Sequence, residues 1–420
     1  MAQLSDDCFA FGGELMRADV ALRILNERII AVASPERIAL TAARGRILAE
    51  DIVSTRNVPP HDNAAVDGYA VFFDDLQPGA DTRLKVAGRV AAGYTLGHAA
   101  ARGTAVRVFT GAPMPPGPDT VFMQEDCRVE GDQVVLPPGI KRGANRRKAG
   151  EDIKQGSAIL RRGHRLRPQD VGLIASIGLT EVPVFRSLKV AIFSTGDELR
   201  EPGEETPHGA VYDANRYALR ALLEQLGCAV VDFGILRDKL DTIRDALARA
   251  ARDCDAIVTS GGMSTGEEDH VRAAVSALGS IHFWRLAIRP GRPVALGQVG
   301  HVPFVGLPGN PVAMMVTFLR FARPLLLGLA GANESEREPH LFRVRAAFEI
   351  KKKHGRREWI SARLAPGPDG VSVAIKFPRD GAGILTSLVE SDGLIELPED
   401  LTHAPADTMV DFLPFSEVAA

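Results

Sequence analysis

The chain has 420 residues, 45% of them hydrophobic and 25% charged, so it is long enough for two to four domains with ordinary globular cores. Its formal net charge of −3 excludes a general nucleic-acid binder, which needs a basic excess to neutralise phosphates. The four cysteines (Cys8, Cys127, Cys228 and Cys254) form no CxxC pair and the N-terminus MAQLSDDCFAFGGEL has no signal-peptide core, so reduced thiols and a cytoplasmic location are expected, without a disulfide framework or zinc site.

Residues 14–48 read as helical, with Val20, Leu22, Leu25, Ile29 and Ile30 as an apolar stripe and Ser34-Pro35-Glu36 as a break with a fresh N-cap. From about 52 to 150 the pattern becomes short alternating runs with many Gly and Pro, as in Leu84–Val90, Thr104–Phe109 and Gln133–Leu136, which predicts a small β-rich domain. Residues 168–178 resume a short helix with a glycine stop. Packing of that helix against the first ones would make the first domain discontinuous.

From 187 strands alternate with helices. Strand Leu188–Phe193 precedes helix Asn215–Leu226, with Asp213 as N-cap. Strand Ala229–Leu236 leads to helix Asp241–Arg252, and strand Ala256–Thr259 to helix Glu268–Leu278. Strands Ile281–Ile288, Pro293–Leu296 and Val302–Gly306 then feed a helix near Pro311–Leu327. This order predicts a doubly wound, mostly parallel sheet covered on both faces, with ligand loops along its carboxyl edge. The apolar stretch Val312–Ala330 contains Arg320, Arg323 and Pro324, so a buried helix is expected and a membrane span is not. After Gly331-Ala332-Asn333, the runs Phe342–Ile350, Trp359–Leu364, Val371–Ile375 and Gly393–Leu397 read as strands. The expected division is 1–51 with 150–186 as a discontinuous helical domain, 52–149 as a β-rich domain, 187–331 as the α/β domain and 335–420 as a C-terminal β domain.

The strongest local signal is AIVTSGGMSTG, residues 256–266. The run Ile257–Thr259 breaks into Ser260-Gly261-Gly262, Ser264, Thr265 and Gly266, and Glu267, Glu268 and Asp269 follow. A buried strand passing through a Gly/Ser loop into a helix suits a phosphate-bearing ligand, because glycine admits backbone N–H groups and hydroxyls add donors. The carboxylates beside the loop repel a bare phosphate, so a bridging cation complements them. Helix capping by Ser264 and Asp269 is the competing reading.

Thr195-Gly196-Asp197-Glu198-Leu199 follows a strand end, where side chains face the ligand crevice; a glycine turn with solvated acids is the alternative. Asp238, after strand Ala229–Leu236, suits a metal, a ribose hydroxyl or a helix cap. In Arg285-Leu-Ala-Ile-Arg289-Pro-Gly-Arg292, alternation puts Arg285 and Arg289 on one face and the Pro-Gly turn brings Arg292 near. Guanidiniums with no acid in the segment point to an oxyanion site, or to ion pairs with distant acids. Gly306-Leu-Pro308-Gly309-Asn-Pro311 makes a rigid helix start, which is either an anion cradle or a structural turn. Asp62 and Asp67 flank a turn of small residues that either places a carboxylate at a cleft or makes Asx turns. Thr110–Gly117 is a similarly rigid loop. No nucleophile elbow, HExxH, Walker A loop or complete GxGxxG occurs.

Together these motifs resemble the molybdopterin molybdenumtransferase family, relatives of the gephyrin E domain and its plant counterpart. The resemblance rests on DNAAVDGYAV (62–71), TGAPMPPG (110–117), GEDI (150–153), STGDEL (194–199), VYDANR (211–216), GILRD (234–238), TSGGMSTGEED (259–269), LAIRPGRP (286–293) and GLPGNP (306–311), in the family's order across most of the chain.

The resemblance implies a multidomain α/β protein: a discontinuous helical segment, a β-rich lid, a central molybdopterin-binding α/β domain and a C-terminal β-barrel, in an elongated homodimer. It implies insertion of molybdate into adenylylated molybdopterin, with Mg2+-dependent release of AMP, to form molybdenum cofactor. It also implies a hand-over involving molybdopterin adenylyltransferase and apo-molybdoenzymes. Carried over motif by motif, Asp67, Glu198, Asp238, Ser264 and Asp269 are the catalytic residues, with Glu198, Asp238 and Asp269 holding Mg2+. Thr110, Asp152, Thr195, Gly196, Gly261, Gly262, Pro308, Gly309 and Pro311 bind the substrate. Arg285, Arg289, Arg292, Arg356 and Ser387 contact molybdate. Arg289 and Arg292 stand where the family often has Lys in LAIKPGKP, and Ala382 and Thr386 replace serines it often carries. The alternatives are nucleotide transfer by a molybdopterin adenylyltransferase-like module and a gephyrin-like scaffold. The lid motif and the C-terminal β domain argue against the former, and the absence of extra linkers against the latter.

Overall fold

A computed structural model describes residues 15–262 and 270–419, and the side chains of residues 25, 26, 28, 282–285 and 293 lie outside that description. The chain forms two compact units. One comprises the described part of Met1–Glu50, Arg162–Arg167 and the described part of Glu181–Ala420; the other comprises Asp51–Arg161 and Pro168–Thr180.

The first unit is built on a six-stranded sheet in the order Ala229–Leu236, Lys189–Thr195, Ala256–Ser260, Val302–Leu307, Pro293–Val299 and Gly279–Arg285. The first four strands are parallel and the last two antiparallel. The central strands are apolar runs that turn polar at their carboxyl ends, as strands covered on both faces and open to a crevice at one edge are. Period-two alternation divides their side chains between two cores. Val190, Ile192, Val258 and Val305 pack with Leu219, Leu223 and Phe318 on one face, whereas Ala191, Phe193, Ile257 and Phe304 pack with Ile243, Leu247 and Val271 on the other. The sheet is therefore doubly wound. Helices Ala214–Gln225 and Pro311–Leu329 cover one face; Leu240–Asp253 and His270–Leu278 cover the other. Pro311–Leu329 is long and apolar enough to cross a membrane, but its apolar window is 94% buried in the protein. A π-turn at Phe318–Ala322 interrupts it.

The same unit carries a five-stranded barrel: Arg357–Pro366, Ser372–Lys376, Phe342–Ala346, Met409–Pro414 and Gly393–Leu397, closed by pairing of the first with the last. Val344, Ala362, Ala374, Ile395 and Phe412 fill it. A short strand, Ile288–Arg289, leaves the α/β domain and pairs in parallel with Arg357 and Glu358 at the barrel. Sequence pattern predicts four of the five barrel strands and misses Met409–Pro414.

The predicted helical span 14–48 is corrected. Only Ala18–Arg28 is α-helical, and it packs on Arg323–Leu329. Pro35–Ala39 is instead a strand antiparallel to Glu181–Phe185. Pro35 biases Ser34 away from helical geometry, and pairing with a segment almost 150 residues away overrides the local periodicity. The second unit has its own six-stranded sheet, ordered Thr120–Met123, Gly68–Val71, Thr104–Val108, Thr82–Val90, Gln133–Leu136 and Arg128–Glu130, and it includes helix Pro168–Ser176.

Candidate functional site

Three neighbouring parallel strands end together and gather most of the substrate-binding residues expected from the sequence. Thr195 closes strand Lys189–Thr195, Ser260 closes Ala256–Ser260, and Leu307 closes Val302–Leu307. Gly261 and Gly262 follow Ser260 with φ of +91° and +65°, a left-handed backbone that favours glycine. A Cβ on Gly262 would lie 2.6 Å from Thr195 Oγ1 and 2.6 Å from Val271 Cγ2. A Cβ on Gly196 would meet the Glu198 carboxylate at 2.6 Å, so Gly196 and Glu198 form one tight turn. The Gly261 N–H donates to Leu307 O at 3.1 Å, which fixes the loop on the neighbouring strand.

Asn215, on the helix that Asp213 caps, braces this floor. Its Nδ2 donates to Ser260 Oγ (2.8 Å) and to Gly309 O (2.7 Å), and Ser260 Oγ donates to Pro308 O (3.1 Å). Thr195, Gly196, Glu198, Gly261, Gly262, Pro308 and Gly309 are thus brought together, and Pro311 opens the helix that follows. Asn215 lies in the quoted VYDANR motif, but nothing in its spacing announces this bracing role. Arg216, beside it, is 5% exposed and binds Asp213, Asp232 and Glu201. Burial alone would lower this guanidinium, but the three acids hold it above its ordinary value.

Asp238 follows the strand that pairs with Lys189–Thr195, in register Thr195↔Leu236. Glu198 and Asp238 therefore leave adjacent strand ends. Among the described residues no three carboxylate, histidine or cysteine side chains gather as a metal-binding group. Ser264 and Asp269 lie outside the described residues, as does the start of the helix expected from Glu268.

A second site lies against the barrel. A cavity of about 520 Å³ is lined by Arg289, Arg292, Arg356 and Ser387, and by Lys351, Lys352, Lys376 and Arg379. Burial pushes Lys352 below its ordinary value, although Glu358 and Glu399 oppose that shift. Glu358 joins two of the arginines: its Oε1 accepts from Arg356 Nε at 2.7 Å and its Oε2 from Arg289 Nη1 at 3.4 Å. Ser387 Oγ stands 3.4 Å from Ser361 Oγ, and both serines are buried. The Val312 N–H donates to Ala382 O at 2.9 Å, so the helix start after GLPGNP reaches the cavity wall.

One sequence expectation fails here. Arg285 and Arg289 do not alternate along one strand. Gly279–Arg285 belongs to the α/β sheet, whereas Ile288–Arg289 pairs with the barrel. The chain leaves the first sheet at Leu286 and Ala287, whose N–H groups donate to Arg292 O and Met16 O. Nothing in the sequence pattern marks Glu358 or Ser361: Arg356 is two residues from Glu358, but Arg289 and, for Ser361, Ser387 come from distant parts of the chain.

Asp67, Thr110 and Asp152 belong to the second unit. Asp67 Oδ1 accepts from both the backbone N–H and the hydroxyl of Thr110 at 2.7 Å. These bonds, the backbone one foremost, hold the exposed carboxyl below its ordinary value. Asp62 is a structural acid: its Oδ1 accepts from Ala149 N at 2.8 Å and tethers the loop that carries the exposed Asp152.

Comparison with known proteins covers the same ground. The family described as "MoeA N-terminal region (domain I and II)" matches residues 16–178, "Probable molybdopterin binding domain" matches 191–328, and "MoeA C-terminal region (domain IV)" matches 343–415. The chain is 36% identical to molybdopterin molybdenumtransferase from Haemophilus influenzae, over 96% of this chain and 100% of that one. It is 35% identical to the Nostoc enzyme of the same name, over 90% and 89%. The molybdopterin biosynthesis moeA protein of Pyrococcus horikoshii has the same fold, with a TM-score of 0.82 and 31% identity, over 96% of this chain and 100% of that one. With full-length similarity, the same order of domains and site motifs set at strand ends and barrel, the chain belongs to the molybdopterin molybdenumtransferase family.

Proposed function

We propose that the protein inserts molybdate into adenylylated molybdopterin and releases AMP, forming molybdenum cofactor. One observation carries this reading: the cavity that collects Arg289, Arg292, Arg356 and Ser387 is walled by the helix start that follows the strand-end glycines. An oxyanion site thus adjoins a phosphate site, as the joining of molybdate to a pterin diphosphate requires.

The glycines at 196, 261 and 262 let the strand-end loops turn tightly against one another, a backbone arrangement suited to a diphosphate, and Asn215 fixes those loops. Guanidinium forks suit a tetrahedral dianion because each presents two parallel N–H donors. Glu198 and Asp238, with Asp269 as the family motif implies, offer the hard oxygen ligands that Mg2+ takes beside substrate phosphates. When bound, the ion neutralises charge on the phosphoanhydride. Asp67, held ionised by Thr110, and Asp152 are the functional acids of the second unit, as the family motifs imply. The working protein is a cytoplasmic homodimer that hands its product to apo-molybdoenzymes and receives substrate from the adenylyltransferase.

Purified protein incubated with adenylylated molybdopterin, molybdate and Mg2+ should release AMP and yield a product that activates an apo-molybdoenzyme. Arg289→Ala and Arg356→Ala should raise the molybdate concentration needed without changing nucleotide binding. No AMP release, or an unaltered molybdate dependence in both variants, overturns the reading.

A further inference from the structure

Three carboxylates line the barrel cavity among its cations, Glu349, Glu358 and Asp380, and of these Glu358 is the buried one. It is 3% exposed, and its two oxygens are divided between Arg356 and Arg289. Those arginines come from different parts of the chain. Arg356 precedes the barrel strand Arg357–Pro366, while Arg289 ends the short strand that departs from the α/β domain. Backbone pairing sets Arg289 directly against Glu358. Among the described residues nothing else fixes the Arg289 head firmly: its side chain is 51% exposed, and its other acidic neighbour, Asp380, is 3.8 Å away and 65% exposed.

We infer that Glu358 is a positioning residue for the oxyanion, an inference that rests on the proposed reaction. The carboxylate takes one edge of each guanidinium. Among the described residues the Arg356 Nη groups and Arg289 Nε have no side-chain partner and remain for a ligand, while Arg289 Nη2 stands 3.8 Å from the exposed Asp380, which an incoming anion can displace. A buried acceptor behind a ligand-binding group fixes its orientation, as outer-shell partners do at metal and anion sites. The charge of Glu358 works against anion binding by simple Coulomb repulsion. Its role as a clamp works in favour, because two free guanidiniums would have to lose rotamer freedom when the anion arrives. The two effects predict opposite signs, so the sign decides between them.

The test measures AMP release by the full-length protein as a function of molybdate, at saturating pterin substrate. Glu358→Gln keeps the shape and removes the charge that holds both forks. The molybdate KM is expected to rise about tenfold or more, with kcat changed less than threefold and the KM for the pterin substrate unchanged. Glu358→Asp keeps the charge at shorter reach and should fall between the two; it serves as the test if the glutamine variant does not fold. Combining Glu358→Gln with Arg289→Ala and Arg356→Ala should add nothing further, because the clamp then has nothing to hold. A molybdate KM that falls in Glu358→Gln, that stays the same, or that rises additively in the triple variant overturns the assignment. If Arg289→Ala and Arg356→Ala themselves leave molybdate use unchanged, the proposed reaction fails first, so the two failures are distinguishable.

Discussion

The strand-end pocket and the barrel cavity belong to one compact unit, yet they are assembled differently. The pocket is made largely of backbone: glycines with positive φ, a proline at a helix start and one asparagine bracing the loops. Its glycines and prolines lie within a few residues of strand ends. The cavity draws its cations as long side chains from 289–292, 351–356 and 376–379, with Ser387 beside them. Two of them, Arg289 and Arg356, are held by the buried Glu358, and a buried ion-pair network centred on Glu396 lies next to it. The backbone site needs shape above all, whereas the side-chain site needs its supporting charges. Substitutions should therefore hurt the two in different currencies, stability in one and turnover in the other.

The largest effect is expected behind the cavity. Glu396 is 4% exposed and accepts from Arg357 Nη1 (2.7 Å) and Trp359 Nε1 (2.9 Å), with Arg320 Nη2 at 3.4 Å. Glu396→Gln would leave buried guanidiniums short of their counter-charge, which costs about 3–5 kcal/mol when one partner of a buried pair is removed. The transition followed by tryptophan fluorescence should move to lower urea concentration, since Trp359 loses its carboxylate acceptor. A loss under about 1 kcal/mol, the range of exposed pairs, would show that the barrel does not depend on this network.

The pocket should respond to a single methyl group in the opposite way. Gly262→Ala forces a Cβ onto Thr195 Oγ1 and Val271 at an unfavourable φ. The loop must shift by a fraction of an ångström or more, and misplacement of about 1 Å can cost on the order of a hundredfold in rate. AMP release per folded molecule should fall by about that factor, with the molybdate KM unchanged. Activity within threefold of the parent would mean that the glycine loop is not part of the reacting site.

The same contrast explains what could be read from the chain. Strand Ala229–Leu236 matches its prediction at both ends, and Asp213 does cap its helix by accepting from Arg216 N. These are local signals of period and capping, and local signals survive folding when nothing competes. The glycine motifs of the pocket are of this kind. Pro35–Ala39 was misread because its strand partner lies far away, at Glu181–Phe185. Arg285 and Arg289 were misread because a two-residue strand, Ile288–Arg289, is recruited by the barrel and not by its own sheet. Glu358 and Ser361 carry no local mark, because an arginine two residues from Glu358 is an ordinary neighbour and the partners that make the site, Arg289 and Ser387, arrive from elsewhere. Arg356 and Ser387 were found only through family resemblance, and the cavity does bring them together.

The smallest effect concerns Asp67, in the second unit. Its carboxyl lies below the ordinary value of 3.8, first through the Thr110 backbone N–H and then through the Thr110 hydroxyl. A carboxyl lowered by folding stabilises the native state fully above its ordinary value, and that contribution is lost as pH falls through the lowered one. Thr110→Val removes the hydroxyl but keeps the backbone donor, so the Asp67 value should rise part of the way back and remain below 3.8. Parent and variant should therefore differ in urea midpoint at pH 6 and converge as pH falls below the lowered value of the parent, by a small margin because the carboxylate is solvated. Carbon-13 detection of the Asp67 carboxyl through an acid titration reads the shift directly. An unmoved value would mean that the backbone bond alone holds the carboxylate, which would extend the backbone-built character of the strand-end pocket to the lid.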